Sequence, residues 1–206
     1  MARAVFRSAI LAVTLAAGIS GAPLAAQMFS DGYQFLKSVK DREGDAVTNA
    51  LNETNSAIIN TRDKVSGETA VHIVTQRRDA LWIRFLTSRG ANPNIADKDG
   101  VTPLMIAVNL GFFEGVEALL EAGAMVDVTN STGETPLISA VHRREIPMIR
   151  LLLAKGANPD RSDNSGRSAR NYAALQTAGS RILAEFEQAD KDRKQVSTGP
   201  SYGPSR

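Results

Sequence analysis

The chain has 206 residues, of which 43% are hydrophobic, 22% charged and 5% aromatic, a composition that suits a folded protein and argues against a disordered, collagen-like or membrane-embedded one. It contains no cysteine and two histidines, which excludes disulfide scaffolds, thiol catalysis, cysteine-based zinc sites and lipid attachment through cysteine. The formal net charge is +2, yet residues 1–26 hold two of the 24 basic residues and none of the 22 acidic ones, so the remainder is neutral and bulk-charge binding to nucleic acid loses its support.

The N-terminal segment reads as an export signal. Arg3 and Arg7 form a basic start, Ala9 to Ile19 an apolar middle, and Gly21-Ala22-Pro23 breaks the run ahead of the small residues Ala25 and Ala26. That layout predicts a signal peptide over residues 1–26, cleaved after Ala26. An apolar run of about a dozen residues falls short of the roughly 20 that cross a bilayer. The expected product is therefore periplasmic or secreted, without membrane insertion after cleavage, and its lack of cysteine fits an oxidising compartment.

A 33-residue period organises the rest of the chain. Gly67, Gly100, Gly133 and Gly166 recur at that step, each followed by a related segment: Thr69-Ala70-Val71-His72, Thr102-Pro103-Leu104-Met105, Thr135-Pro136-Leu137-Ile138 and Ser168-Ala169-Arg170-Asn171. A second series, Gly90, Gly123 and Gly156, keeps the same step within Gly90-Ala91-Asn92-Pro93-Asn94 and its counterparts. Fixed-period self-similarity marks a stacked repeat. Gly100 is expected in a turn that needs positive φ; Thr102 follows as an N-cap, with Pro103 at the first helical position, where its missing N–H costs nothing. Leu104, Ala107 and Val108 recur as Leu137, Ala140 and Val141, the inner stripe of a first helix. Ile83/Leu86, Val116/Leu119/Leu120 and Ile149/Leu152/Leu153 line one face of a second. Pro147 falls in a first turn and is tolerated there.

On these residues the chain resembles the ankyrin-repeat family, most specifically over residues 64–162. The resemblance implies an all-α solenoid of about five helix–turn–helix units with β-turn fingers, spanning residues 27–187 with units at 31–63, 64–96, 97–129, 130–162 and 163–187. The end units depart from the pattern, as terminal repeats do. The first, around Phe35, Leu36, Val39, Val47 and Leu51, lacks the Thr-Pro-Leu segment; the last places Arg170 at an interior position, which suggests that nothing stacks beyond it. Residues 188–206 turn polar and then rich in Ser, Gly and Pro, and are expected to be a disordered tail.

Motifs for chemistry are missing. His72 ends a Thr-Pro-Leu-His-like tetrapeptide, and the resemblance implies a structural role, bonded to the neighbouring unit's turn. His142 stands alone, and two distant histidines without cysteine do not make a zinc site. No Gly-x-Ser-x-Gly nucleophile elbow and no phosphate-cradling glycine loop occurs. No enzyme activity and no cofactor or metal is expected.

Recognition is better motivated, because a solenoid presents a long concave surface. The family's contact positions, carried over to this chain, are finger tips (among them Lys98, Asp99, Val101 and Glu134) and first-helix ends (Arg77, Asn109, Leu110, His142 and Arg143). Arg77-Arg78 and Arg143-Arg144 occupy equivalent places two units apart, on either side of Asn109 and Leu110. One reading is an acid-seeking groove, with Leu110 and Phe112 adding apolar contact. The other is that these cations complement helix C-termini. Phe113 is expected in the core and Trp82 to be a packing residue. The chain is thus expected to be a monomer that binds another protein without catalysis, with an inhibitor, immunity-type or protective accessory protein for one cognate periplasmic enzyme as the alternative.

Overall fold

The computed structural model describes residues 24–54, 56–176 and 179–198. The expected signal peptide, except its last three residues, and the end of the expected tail lie outside them. Among the described residues the chain is all helical, without strands: α1 (Leu24–Asp41), α2 (Gly44–Glu53), α3 (Ala70–Gln76), α4 (Ala80–Ser88), α5 (Pro103–Asn109), α6 (Phe113–Glu121), α7 (Pro136–Arg143), α8 (Ile146–Ala154), α9 (Ala169–Ala174) and α10 (Gly179–Thr198). Each odd-numbered helix packs on the even-numbered one after it. The inner row α1, α3, α5, α7, α9 is laid side by side, and in the outer row α4 meets α6 and α8 meets α10.

The core lies between these rows. Leu104, Ala107, Val108, Leu137, Ala140 and Val141 of the inner helices are fully buried, as are Ile83, Leu86, Val116, Leu119, Ile149 and Leu152 of the outer ones. No single hairpin could bury both its faces; stacking supplies the missing wall, at about 1.5–3 kcal/mol for each large apolar side chain. Phe35, Leu36, Val39, Val47 and Leu51 close one end of the core, and Ile182 and Phe186 the other.

Turn chemistry repeats with the helices. In four units the chain folds into a finger: the amides of Asp63, Asp97, Asn130 and Asp163 donate to the carbonyls of Glu68, Val101, Glu134 and Arg167 at 2.7–3.2 Å. The side-chain oxygen of the same Asp or Asn accepts amides two to four residues on, for example Val65 and Ser66 on Asp63 and Thr132 and Glu134 on Asn130. Gly133 completes its finger at φ +79, with the space a side chain would need filled by Asn164 of the next finger.

His72 ties unit to unit, as the family resemblance implies. Its Nδ1 accepts the Thr69 amide at 3.1 Å and lies 2.9 Å from the Thr69 hydroxyl, while its Nε2 meets the Val101 carbonyl at 3.1 Å. That pattern needs the neutral ring with the proton on Nε2. Burial accordingly pushes its pKa below the usual histidine value.

Several expectations need correction. Helix α1 opens at Leu24, seven residues ahead of the first expected unit, because Leu24-Ala25-Ala26-Gln27-Met28 are all strong helix formers. Thr102 does not cap α5 with its hydroxyl, which is buried without a partner, whereas Thr135 accepts the Ile138 amide at 3.2 Å. Phe112, not Phe113, is the core residue: its ring fills the space over Gly115, and Phe113 is only half-buried.

The expected disordered tail is, as far as Thr198, the second half of α10. Ile182 and Phe186 dock the helix, Arg150 grips Glu185 at 2.6 and 2.8 Å, and Gln188–Asp192 and Arg193–Asp190 contacts continue it. Once a docked turn exists, extension by good helix formers is cheap. Arg170 serves this closure. Its guanidinium reaches Asp160 at 2.8 Å and Asp190 at 2.9 Å and lies 5.5 Å over the Phe186 ring.

Candidate interaction surface

The fingers and the inner helices enclose one face. Successive fingers are stitched by a backbone hydrogen bond per step, Lys98 to Ser66, Ser131 to Asp99 and Asn164 to Thr132, all at 3.0–3.2 Å. At the finger bases, Glu68, Val101, Glu134 and Arg167 hold the same repeat position, directly after the turn glycine and before the helix-capping Thr or Ser. Gln76, Asn109, His142 and Leu175 form a second column at the inner-helix ends, and all four are exposed.

A depression of about 620 Å3 opens where the third and fourth fingers meet α7 and α9, lined by Glu134, His142, Arg167 and Tyr172 among others. The Tyr172 ring stands edge-on to His142, with centroids 4.5 Å apart. Its hydroxyl donates to Asp163 at 2.6 Å, beside the Ser165 hydroxyl at 2.7 Å, and these bonds hold the Asp163 carboxyl well below the usual carboxylate range. The Arg167 guanidinium lies 6.0 Å over the Tyr172 ring. In this way the phenol is fixed by its hydroxyl, and both Tyr172 and His142 line the depression.

The candidate residues separate into two groups. Lys98 and Asp99 stand exposed on a finger, with the Lys98 amine donating to the Lys64 carbonyl at 2.6 Å. Asn109 is exposed at the end of α5, and Leu110 beside it is half-buried against the core. Glu134 and His142 line the depression, Glu134 accepting the Ser139 hydroxyl at 2.8 Å, and Val101 is half-buried at the equivalent finger base one unit before.

The four arginines of the acid-seeking reading form the second group, and each is committed within the chain. Arg77 donates to the Val39 carbonyl at 2.7 Å, pairs with Asp79 at 3.3 Å and lies 5.1 Å over Trp82; only 13% of its side chain is exposed. Trp82 is thus a half-buried packing residue, edge-on to Phe85. Arg143 grips Glu145 at 2.6 Å. Arg78 and Arg144 both sit in the left-handed region at φ 58, at the position Gly111 takes in the unit between them. Arg78 donates to the Leu110 carbonyl, a C-terminal carbonyl of the next inner helix, and Arg144 to Gln176 at 3.1 Å. The helix-terminus reading therefore describes Arg78. Phe112, being buried, adds nothing to the surface.

Sequence reasoning passed over Tyr172, which occupies the place of Ile73, Ile106 and Ser139; an aromatic at a position otherwise filled by Ile or Ser was the available signal. It also passed over an Asn/Asp column in which Asn60, Asn94 and Asp127 accept the amides of Asn92, Met125 and Asn158, latching each unit to the next. Among the described residues no group of three or more His, Asp or Glu converges as metal ligands would, and no helix is long and apolar enough to cross a membrane.

Comparison with known proteins agrees with this geometry. The family model described as ankyrin repeats (3 copies) matches residues 36–130 and again 122–195. An ankyrin repeat protein of fowlpox virus is 43% identical over 54 residues, 26% of this chain and 16% of the relative. Another, from Rickettsia felis, is 40% identical over 62 residues, 29% of this chain and 27% of the relative. The nuclear factor NF-kappa-B p110 subunit of Drosophila melanogaster is 35% identical over 63 residues, 31% of this chain and 6% of the relative. The chain thus spans about a quarter or less of the length of each. With glycine turns, linked fingers and paired helices all in one register, and the family match covering well over half the chain, this protein belongs to the ankyrin repeat family.

Proposed function

We propose that this chain is an exported, periplasmic, monomeric protein that binds another protein, without catalysis, through its finger bases and inner-helix ends. Ankyrin repeats are protein-binding modules in general, and the basic-apolar-small layout of residues 1–26 supports export. The observation that carries the reading is the depression between the third and fourth fingers and α7 and α9. There a fixed aromatic pair, a carboxylate and a guanidinium face solvent together, in line with the exposed Asn109. Buried aromatic and Arg anchors dominate binding energy in protein interfaces.

A photo-crosslinking residue at Asn109, on the groove, is compared in the native compartment with one at Leu81, on outer helix α4 and 78% exposed. The expected result is a single protein attached through position 109 and none through 81. Equal labelling from both, or labelling from 81 alone, overturns the groove as the working surface, and recovery of the chain only from the cytoplasm overturns export.

A further inference from the structure

The finger-base column has a charge order that nothing in the fold requires. It reads Glu68, Val101, Glu134, Arg167, one residue per unit, with the first three half-buried and the last exposed. Glu68 accepts only neutral donors, Ser66 and Gln76, and Glu134 only Ser139. None of Glu68, Glu134 and Arg167 forms an ion pair among the described residues. By contrast, four arginines away from this column, Arg77, Arg143, Arg150 and Arg170, each hold a carboxylate. Charges without an ion-pair partner at one repeat position, the two carboxylates among them partly desolvated, are what a complementary partner would complete.

Spacing sets the form of that partner. Side-by-side helices stand about 8–10 Å apart, so the column presents one group at about that interval. A polyproline II segment rises about 3.1 Å per residue with three residues per turn, and returns a side chain to the same face every 9.3 Å or so. The two periods match. An extended β-strand alternates faces every residue and does not share this period. The Tyr172–His142 pair adds an aromatic wall, the surface on which proline-rich segments dock elsewhere.

Building on the proposed use of this groove, we infer that the occupant is an extended, polyproline II-like segment of the partner protein whose every third residue reads basic, apolar, basic, acidic. The basic residues meet Glu68 and Glu134, the apolar one lies on Val101, and the acidic one meets Arg167. The last position makes the order directional. A uniformly basic tail meets Arg167 with like charge and is rejected there.

The probes are fluorescein-labelled peptides, Lys-Ala-Pro-Leu-Ala-Pro-Lys-Ala-Pro-Glu and its reversed-order counterpart, since either chain direction satisfies the column. Binding to the full chain is read by fluorescence anisotropy at low salt. One of the two orders is expected to bind at least about tenfold more tightly than a peptide with all charges exchanged, and the double variant Glu68→Gln/Glu134→Gln to lose at least about fivefold. Gln keeps one acceptor oxygen, for Gln76 at position 68 and for Ser139 at position 134, and its amide nitrogen can donate to the Ser66 hydroxyl, so the fold is preserved. Arg167→Glu is expected to weaken the original peptide and to bind a version with Lys at the acidic position about as well as the unaltered chain binds the original.

Equal affinity for the charge-exchanged peptide, failure of the Arg167→Glu swap, or no binding of either order overturns the code. These results leave the groove itself standing if position 109 still crosslinks a partner; failure of the crosslink as well removes both.

Discussion

Replacing His72 with Met isolates the hydrogen bonds that hold the second unit to the third. Met105 already occupies the equivalent place one unit on, fully buried, so the shape fits this position. The substitution removes the acceptor for the Thr69 amide, the partner of the Thr69 hydroxyl and the donor to the Val101 carbonyl. Three such bonds at about 0.5–1.5 kcal/mol each give an expected loss of about 2–4 kcal/mol. At about 2–4 °C per kcal/mol, Tm falls by roughly 5–15 °C. Urea and thermal unfolding followed by far-ultraviolet circular dichroism measure both.

The pH dependence is the sharper test of the same argument. Burial holds the folded His72 pKa below its unfolded value of about 6.5. The unfolded chain therefore binds the proton first, and the stabilisation is fully present above about pH 6.5 and is lost as pH falls toward the folded value. The gap between the wild type and His72→Met should narrow as pH falls from about 7.5 to about 5. If the two curves instead fall in parallel through that window, the neutral ring with its proton on Nε2 is not what holds these units together.

Two further pairs exploit equivalent positions with unlike surroundings. Thr102→Val deletes a buried hydroxyl that has no partner and should stabilise by about 1 kcal/mol. Thr135→Val deletes a working cap and should destabilise by about the same amount; thermal melts giving both changes the same sign would contradict the assignment. Gly133→Ala puts a Cβ 2.6 Å from the Asn164 backbone nitrogen at φ +79, whereas Gly90→Ala meets nothing within 4 Å at φ +94. The second should cost about 1 kcal/mol for the left-handed backbone alone, and the first clearly more, because a neighbouring finger must move. Equal losses in denaturant melts would show that the fingers do not pack against one another.

Where sequence was sufficient, the reason was that one local rule recurs. Thr135, Pro136 and Gly133 each have a conformational job settled within a few residues, and their recurrence at a single step turns weak local signals into a fold. Where it fell short, the deciding neighbour was distant or the rule was cooperative. Thr102 carries the same cap signature as Thr135, yet the outcome depends on the orientation of a buried hydroxyl, which no pattern encodes. The polar composition of 188–198 argued for disorder, but α10 continues there from a turn already docked by Ile182 and Phe186.

The surface divides in the same way. Arg77-Arg78 and Arg143-Arg144 attracted attention because paired cations at one repeat position are conspicuous in a sequence. A guanidinium is free or occupied according to partners that proximity along the chain does not reveal: Val39 is 38 residues from Arg77, and Leu110 is 32 from Arg78. The finger-base column is inconspicuous by contrast, its members differing from unit to unit, and variation is what a recognition position needs in a stack whose other positions are held by packing. Leu104 and Leu137 must match because each fills the same hole. Glu68, Val101, Glu134 and Arg167 share one backbone bond, the finger-closing carbonyl, which any residue supplies. That backbone bond does not depend on the side chain, and what Glu68 and Glu134 add to the fold is hydrogen bonds to neutral partners, which a neutral Gln can also make; the proposed occupant of the groove would account for the order of charge.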